Sequence, residues 1–139
     1  MKSQVWLVCM LSVLCLGSGC GDQFATIDGT IMLGESPISG AGVYLEPDGN
    51  SEDKFFGLTL DDGEIQIDTR DGIPPGQYDI VVVTYKMRDG SPLPLGEQGD
   101  AAKESGRAIK QVYVFKTELK SGVNKLELDI KQAEKRGRR

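Results

Sequence analysis

The sequence predicts an all-β fold, a seven-stranded β-sandwich that follows an N-terminal signal peptide. Three observations predict it. Roughly seven short segments alternate apolar and polar residues, turns rich in glycine, proline and aspartate separate them, and no stretch carries a convincing helical period. The chain has 139 residues, of which 18 are glycines spread along its length, and this suits one domain of short strands and many turns.

The strands are predicted from runs in which apolar side chains recur at every second position. In chain order they are 25–33, 41–45 preceded by Ile38, 55–60, 64–69, 77–85, 108–115 continued by 117–119, and 126–130. The strongest run is QYDIVVVTY, because its even-numbered and odd-numbered positions are both largely apolar. That pattern is typical of a central strand packed on two sides, so we expect this strand in the middle of a sheet.

Turn residues separate the strands. Asp61-Asp62-Gly63 is the strongest hairpin signal, since Asp-Gly suits turns that need positive φ. The prolines of 71–76 cannot donate to a sheet ladder, and 121–124 has turn composition. The segment 86–107 is rich in glycine, proline and charge and has almost no core-forming residues. It is predicted to be a long loop that is either functional or mobile.

The first residues have the composition of a secretory signal. Lys2 supplies a positive start, 5–16 is apolar except for Ser12, and 17–19 are small residues. The apolar run is shorter than the roughly 20 residues that span a membrane comfortably. Cys20 follows directly after the small residues.

An apolar run, small residues and then cysteine resembles the lipobox of bacterial lipoproteins, whose cysteine is acylated and becomes the first mature residue. We therefore predict lipidation of Cys20, with acyl chains such as palmitate holding the chain on a membrane. The leucine that this family prefers three places before the cysteine stands one place earlier here, at Leu16. Two alternatives stay open: an ordinary cleaved signal that ends near a cysteine, and an uncleaved anchor.

Composition argues against several classes of function. The chain has no histidine, which removes the commonest general base and metal ligand. Its cysteines are Cys9, Cys15 and Cys20, so the chain beyond them has neither an internal disulfide nor a thiolate. With 16 basic against 21 acidic residues, the chain is a poor candidate for binding nucleic acid. We expect no enzyme activity, no catalytic residue and no cofactor.

Acidic loops are weak candidates for a metal site, since carboxylate and amide oxygens bind calcium. Asp48 and Asn50 lie in one polar loop, and Asp61 and Asp62 lie in the hairpin. The loop lacks the glycine and the distal glutamate of a calcium loop, and turn geometry explains the same residue types. The basic tail 131–139 is predicted to be disordered. The alternative for the tail is contact with anionic lipid or an acidic polymer.

Four stretches carry a resemblance to a known family: 29–49 (GTIMLGESPISGAGVYLEPDG), 58–67 (LTLDDGEIQI), 72–82 (GIPPGQYDIVV) and 119–130 (LKSGVNKLELDI). They resemble the carboxypeptidase regulatory-like domain, as it occurs in small lipoproteins of planctomycete type. The resemblance implies a transthyretin-like, or prealbumin-like, β-sandwich with Greek-key topology. It also implies an extracytoplasmic role, without shared catalytic residues or a uniform ligand, because function belongs to a site rather than to a fold.

The predicted organisation is a signal peptide at 1–19, a tether at 20–25, the sandwich domain at 26–130 and the basic tail. We expect the chain on the cell membrane or outer membrane, anchored through acylated Cys20 and facing the periplasm or the exterior. The expected role is a non-catalytic structural or binding module of the cell envelope, whose partner is an envelope protein or a polysaccharide. The alternative is an accessory subunit that binds a small ligand or a calcium ion.

Overall fold

The computed structural model describes residues 23–47, 54–93 and 97–136. Within these ranges the chain forms nine strands and one short helix. The elements are β1 Ala25–Leu33, β2 Ser36–Pro37, β3 Gly42–Pro47, β4 Phe55–Thr59, β5 Ile65–Ile67, β6 Gly76–Met87, α1 Gly99–Glu104, β7 Ala108–Leu119, β8 Gly122–Asp129 and β9 Glu134–Lys135. The described chain is therefore mostly β, and this confirms the all-β class that the alternating pattern predicts, with β2 and β9, of two residues each, beyond the seven strands expected.

The strands form two sheets that pack as the two layers of a sandwich. The smaller sheet has the order β2-β1-β8, and the larger sheet has the order β5-β4-β3-β6-β7-β9. β1 and β8 run parallel, whereas neighbouring strands of the larger sheet are antiparallel. β6 lies in the interior of the larger sheet, between β3 and β7, as its two apolar faces predict. Its pairing with β7 extends from Gly76 opposite Leu119 to Met87 opposite Ala108.

The main core lies between the two sheets. On the inner face of the larger sheet, Leu45, Ile80 and Val82 are fully buried, in one cluster with Ile31 of β1 and Ile73. Full burial of one such aliphatic side chain stabilises the fold by roughly 1.5–3 kcal/mol. The core is therefore built from residues that are distant in the chain and that only the stacking of the sheets brings together.

The outer face of the larger sheet carries a second, smaller cluster. Val81, Val83 and Val114 are buried there, and Tyr85 packs against them. α1 covers this end of the face, because the backbone of Gly99 lies so close to the Tyr85 ring that a Cβ would overlap it. Both faces of β6 are thus covered, one by a whole sheet and the other by the six-residue helix α1 and neighbouring side chains.

The prediction of a turn over 121–124 is wrong for most of its length, because β8 begins at Gly122. Asn124 lies within β8 and supports the turn from there. Its side-chain NH₂ group donates to the carbonyl oxygens of Lys120 and Gly122, and its side-chain oxygen accepts from the Lys120 N–H. Asn124 is a typical turn residue, and here its side chain forms the hydrogen bonds that the backbone groups of the turn need, although the residue itself lies in β8.

The prediction of one long loop over 86–107 is also wrong. β6 continues to Met87, a tight turn follows at 89–91, and α1 comes before β7. α1 is six residues long, which is too short for a helical period to be recognised in the sequence. Its single buried residue, Ala102, is completely covered, so packing rather than amphipathic pattern holds the helix in place.

The prediction of a disordered tail from residue 131 is wrong as far as the described residues reach. β9 pairs with Tyr113 and Val114 of β7 and so adds a sixth strand to the larger sheet. The domain accordingly begins with β1 at Ala25 and includes β9, which makes it longer at both ends than the predicted 26–130. Two residues of polar sequence form a strand here because β7 offers them a free edge.

Candidate functional site

Three of the predicted site residues lie outside the described residues. They are Cys20, the predicted lipidation site, and Asp48 and Asn50, which are weak candidates for calcium. Their assignments stay predictions. The other two candidates, Asp61 and Asp62, lie in the hairpin turn between β4 and β5.

Both hairpin carboxylates are engaged in hydrogen bonds around the turn. Asp61 Oδ1 accepts from the Ser39 hydroxyl at 3.0 Å, and Asp62 Oδ1 accepts from the Glu64 backbone N–H at 3.0 Å. Gly63 closes the turn with a φ of 79°, a conformation that costs glycine least. Within 23–47, 54–93 and 97–136, no three acidic side chains gather into a group that could hold a metal ion. Each of these two aspartates thus accepts one hydrogen bond, and their assignment as calcium ligands stays a prediction.

Two tyrosines bind through their hydroxyl groups to other parts of the chain. The Tyr78 hydroxyl donates to the Pro74 carbonyl oxygen at 2.7 Å, and the Tyr85 hydroxyl donates to Asp100 Oδ1 at 2.5 Å. Burial raises the pKa of Tyr78 above its ordinary value. The pKa of Tyr85 is raised further, first by burial and then by the hydrogen bond and the charge of Asp100. Both hydroxyl groups stay neutral at physiological pH and form structural hydrogen bonds. The bond from Tyr85 holds α1 to the sheet.

Residues 89–91, just after β6, form a small polar turn. The Asp89 carboxylate accepts from both the hydroxyl and the N–H of Ser91, at 2.6 and 2.9 Å. These two bonds, the hydroxyl first, lower the pKa of Asp89 below its ordinary value. Arg107, after α1, forms an ion pair with Glu97, before α1, so the two ends of the helix are linked.

Arg88, just after β6, and Lys103 on α1 line one side of an open groove of about 770 Å³ along the first half of β7. The groove floor comprises residues 108–113 of β7. Five cationic side chains line the groove, and together they define what we call the basic groove: Arg88, Lys103, Lys110, Lys135 and Arg136. All five side chains are exposed, and none of the described residues that line the groove is acidic.

The five cations come from four separate places in the chain. Lys103 lies on α1, Lys110 on β7 and Lys135 on β9, and the two arginines directly follow β6 and β9. The Lys110 ammonium group lies 5.9 Å from the centre of the Tyr85 ring, within reach of a cation–π contact. Arg136 Nη1 is 3.5 Å from Glu46 Oε2, whereas the other four cations form no ion pair within the described part of the chain.

A second open groove, of about 930 Å³, lies at the opposite end of the sandwich, where β6 begins. It is lined by the loop before β6 and by the start of β4, with Lys54, Asp68, Arg70 and Asp71 among its charged residues. Arg70 Nη2 pairs with Asp68 Oδ2 at 3.1 Å, and both side chains are largely exposed. Mixed and mutually paired charges give this groove no clear preference for an anion or a cation.

The outer face of β4 exposes a row of apolar side chains. Phe56, Leu58 and the following Leu60 are each between 42% and 48% exposed, and they alternate along one side of the strand. The Phe56 ring lies 5.1 Å from the ring of Tyr44 on β3. We call these three residues the apolar row. Contiguous exposed apolar surface of this kind is typical of contact sites.

The basic groove was not predicted from the sequence. Two of its cations belong to the supposed loop, two to the supposed tail, and one to a predicted strand. The excess of cations near the carboxyl terminus was visible as a basic tail, yet nothing local indicated that β9 folds back beside β7. No pattern in the sequence joins positions such as 88, 110 and 135.

Comparison of the chain with protein-family models, with curated proteins and with solved structures finds no match. In the described part of the chain, no helix is long and apolar enough to cross a membrane. The function must therefore be argued from the geometry and charge of the chain itself.

Proposed function

We propose that this protein is a non-catalytic, lipid-anchored module of the cell envelope that binds a partner at the surface of its sandwich. The anchor is acylated Cys20, and the folded domain is of the carboxypeptidase regulatory-like type, with transthyretin-like Greek-key topology. The domain faces the periplasm or the exterior, and its partner is an envelope protein or a polysaccharide. The observation that carries this proposal is that Cys20 precedes the first strand by only five positions in the sequence.

The domain is fastened close to the predicted anchor. The Gly122 N–H donates to the Phe24 carbonyl oxygen at 2.9 Å, and the Ala25 N–H donates to the Ile73 carbonyl oxygen at 2.7 Å. From Cys20 to Phe24, a fully extended chain covers at most about 14 Å. An acylated Cys20 would thus hold the sandwich against a membrane surface, with the end that carries Phe24 nearest to the lipid.

The acyl chains supply the energy of attachment. Each buried methylene contributes roughly 0.8 kcal/mol, and more than one chain is needed for stable anchoring. A diacylated cysteine exceeds that requirement without any transmembrane helix. The first strand then serves as the rigid connection between the anchor and the core, because it is paired with β8 along nearly its whole length.

The surfaces of the domain suit binding better than catalysis. The basic groove and the apolar row are open and shallow, whereas active sites that exclude water are enclosed. The two tyrosines with raised pKa values are engaged in structural hydrogen bonds. Titratable groups that perform acid–base chemistry have pKa values near the working pH, and these tyrosines have been moved away from it.

The first experiment compares the membrane partition and the intact mass of wild type, Cys20→Ser and Cys15→Ser. We expect wild type and Cys15→Ser to remain with the membrane and to begin at an acylated Cys20. We expect Cys20→Ser to be released or to keep its signal peptide. Cys15→Ser is the matched control, because it removes another thiol from the same segment.

Two outcomes contradict the anchor. If all three proteins are cleaved and soluble, the chain is an ordinary secreted module. If all three keep their full mass in the membrane, the apolar segment is an uncleaved anchor.

Calcium tests the alternative role as an accessory subunit. We expect millimolar calcium to leave the melting temperature of the full chain unchanged, since no third acidic side chain of the described residues gathers with Asp61 and Asp62 into a group that could hold a metal ion. A rise in melting temperature that Asp61→Asn/Asp62→Asn abolishes would favour the calcium-binding role.

A further inference from the structure

We propose that the basic groove binds an extended, acidic segment of a partner polypeptide, which pairs as an added strand with 108–111 of β7, the part of this edge that β9 and Arg136 leave uncovered among the described residues. This inference rests on the proposed function, because it names the binding surface of the anchored module and the chemistry of its partner. Two independent features of the groove carry it: a cluster of cations, four of which have no ion-pair partner among the described residues, and a strand edge at Lys110 that no described strand covers.

The charge of the groove is opposite to that of the protein. The chain has a formal net charge of −5, yet five cations and no described acidic residue line this groove. Glu46 compensates Arg136, and the described residues provide no ion-pair partner for the remaining four. Like charges held together repel each other, and this repulsion is relieved by an anionic ligand. Charge complementarity therefore selects an acidic partner.

The strand edge selects an extended polypeptide. β7 pairs with β6 along its whole length, whereas β9 covers only Tyr113 and Val114 on the other side. The Arg136 N–H donates to the Val112 carbonyl oxygen at 3.1 Å, so the backbone groups of Val112 point toward β9.

Backbone groups of alternate residues point to the same side of a strand, so the N–H and C=O of Lys110 also point away from β6. Among the described residues, no backbone group pairs with Lys110 on that side. An exposed edge of this kind accepts an added strand.

The groove combines the two features at the same residues. The outward backbone groups of Lys110 have no partner within 23–47, 54–93 and 97–136, and its ammonium group lies on the outer face, near the Tyr85 ring. Ile109 and Val112 supply half-buried apolar surface beside it. A segment that alternates acidic and apolar residues would satisfy the backbone, the cations and the apolar floor together. A sulfated or carboxylated polysaccharide would satisfy only the cations.

The groove also lies away from the predicted anchor. Leu119, at the far end of β7, is beside Gly76 and close in the chain to Gly122, which is bonded to Phe24. From Lys110 to Leu119 the strand covers roughly 30 Å, at about 3.4 Å per residue. In the anchored protein the basic groove therefore faces a partner in the aqueous space rather than the lipid headgroups.

The test uses the full chain purified from membranes in detergent. Fluorescence anisotropy measures binding of a labelled ten-residue peptide of alternating glutamate and valine, and alginate is the competing anionic polysaccharide. We expect peptide binding that weakens as salt is raised. Lys110→Glu/Lys135→Glu is expected to lower the affinity for the peptide by about tenfold or more, since two attractive charges become repulsive. The control Lys120→Glu/Lys125→Glu makes the same change in net charge at exposed positions outside the groove, and we expect binding within twofold of wild type.

A second pair of variants tests the strand edge. Lys110→Pro and Lys110→Ala both remove the charge, but only proline removes the outward N–H, and proline is tolerated at such an edge position. We expect the proline variant to bind the peptide at least fivefold more weakly than the alanine variant, with equal melting temperatures. If the proline variant melts at a lower temperature than the alanine variant, the proposal is tested by the affinity of Lys110→Glu/Lys135→Glu against that of its control Lys120→Glu/Lys125→Glu.

Three results would overturn the proposal. Equal loss of affinity in the groove variant and in its matched control would mean that net charge alone attracts the peptide. Tighter binding of alginate than of peptide, with no difference between Lys110→Pro and Lys110→Ala, would assign the groove to a polysaccharide. Absence of peptide binding by a protein that partitions to the membrane would reject the groove and leave the anchor standing. Peptide binding by a chain that is found soluble would instead keep the groove and reject the anchor.

Discussion

The two faces of the larger sheet are built from the same strands but are stabilised in different ways. The inner face packs against β1 and β8, and its side chains at the centre, such as Leu45 and Ile80, are fully buried. The outer face is covered over one part by α1 and exposes the apolar row over another. The inner face is buried by strands that are distant in the chain. The outer face is partly covered by α1, which lies between β6 and β7 in the chain.

This difference indicates which side chains contribute most to the stability of the fold. A residue of the inner face contacts both sheets, so its loss leaves a cavity that distant elements cannot close. A residue of the outer face contacts neighbours of its own sheet, and water or a small shift can replace what is lost. The outer face is therefore free to carry binding surfaces, and the basic groove and the apolar row both lie at its margins.

The largest expected effect separates two leucines on neighbouring strands. Leu45→Ala removes a side chain that is 0% exposed on the inner face, and we expect a loss of about 2–5 kcal/mol in the free energy of unfolding. Leu58→Ala removes a side chain that is 48% exposed on the outer face, and we expect a change within about 0.5 kcal/mol. Urea denaturation of the two variants measures the difference. Similar losses at both positions would contradict the distinction between the faces.

The next effect compares two glycines that lie against other residues. A Cβ at Gly57, on the inner face, would overlap the backbone of β5, so Gly57→Ala should cost about 1–3 kcal/mol through overpacking. A Cβ at Gly99 would overlap the Tyr85 ring, so the ring or α1 must shift against the hydrogen bond to Asp100. We expect Gly99→Ala to cost less than Gly57→Ala, because a side chain and a short helix shift more readily than two paired strands and because alanine favours helix. Thermal unfolding followed by circular dichroism tests the order, and a larger cost at Gly99 would contradict it.

A smaller effect concerns the bond that holds α1. Tyr85→Phe removes the hydrogen bond to Asp100 and should cost about 1 kcal/mol at neutral pH. Because the pKa of Tyr85 is raised above 10.0 in the folded protein, its stabilising contribution is present below pH 10 and decreases as pH rises above it. The gap in stability between wild type and Tyr85→Phe should therefore narrow in alkaline solution. A gap that stays constant from pH 7 to about 11.5 would contradict this account.

The smallest effect concerns the charges on the outer face. Arg136 and Glu46 pair at 3.5 Å with side chains that are half and one quarter exposed, so Arg136→Ala should cost under about 1 kcal/mol. The cost should vanish in roughly 1 M salt, where charges are screened within about 3 Å. Lys54→Ala, which removes the other partner of Glu46 at 3.1 Å, is the matched control. A cost of several kcal/mol that resists salt would mean that Arg136 contributes through packing.

Strand positions were predictable because they depend on local pattern. The alternation in β6, with Ile80 and Val82 on one face and Val81 and Val83 on the other, predicted both its place in the sheet and its two clusters. The Asp61-Asp62-Gly63 turn was predictable for the same reason, since the φ of Gly63 is a local requirement. Where the prediction was wrong, as at α1 and β9, the segments were too short to carry a period and were ordered by packing on Tyr85 and pairing with β7.

The sequence by itself determined most of the strands, their apolar faces and the Asp61-Asp62-Gly63 turn, because each of these depends on residues adjacent in the chain. It also supplies the signal-like segment on which the prediction of an anchor at Cys20 depends. Only the tertiary structure decided the strand order, the parallel pairing of β1 with β8, and the return of the chain end beside β7. The basic groove depends on that pairing and on the packing of α1: Lys103, Lys110 and Lys135 are unrelated by any local period, and only the tertiary structure brings their charges to one edge.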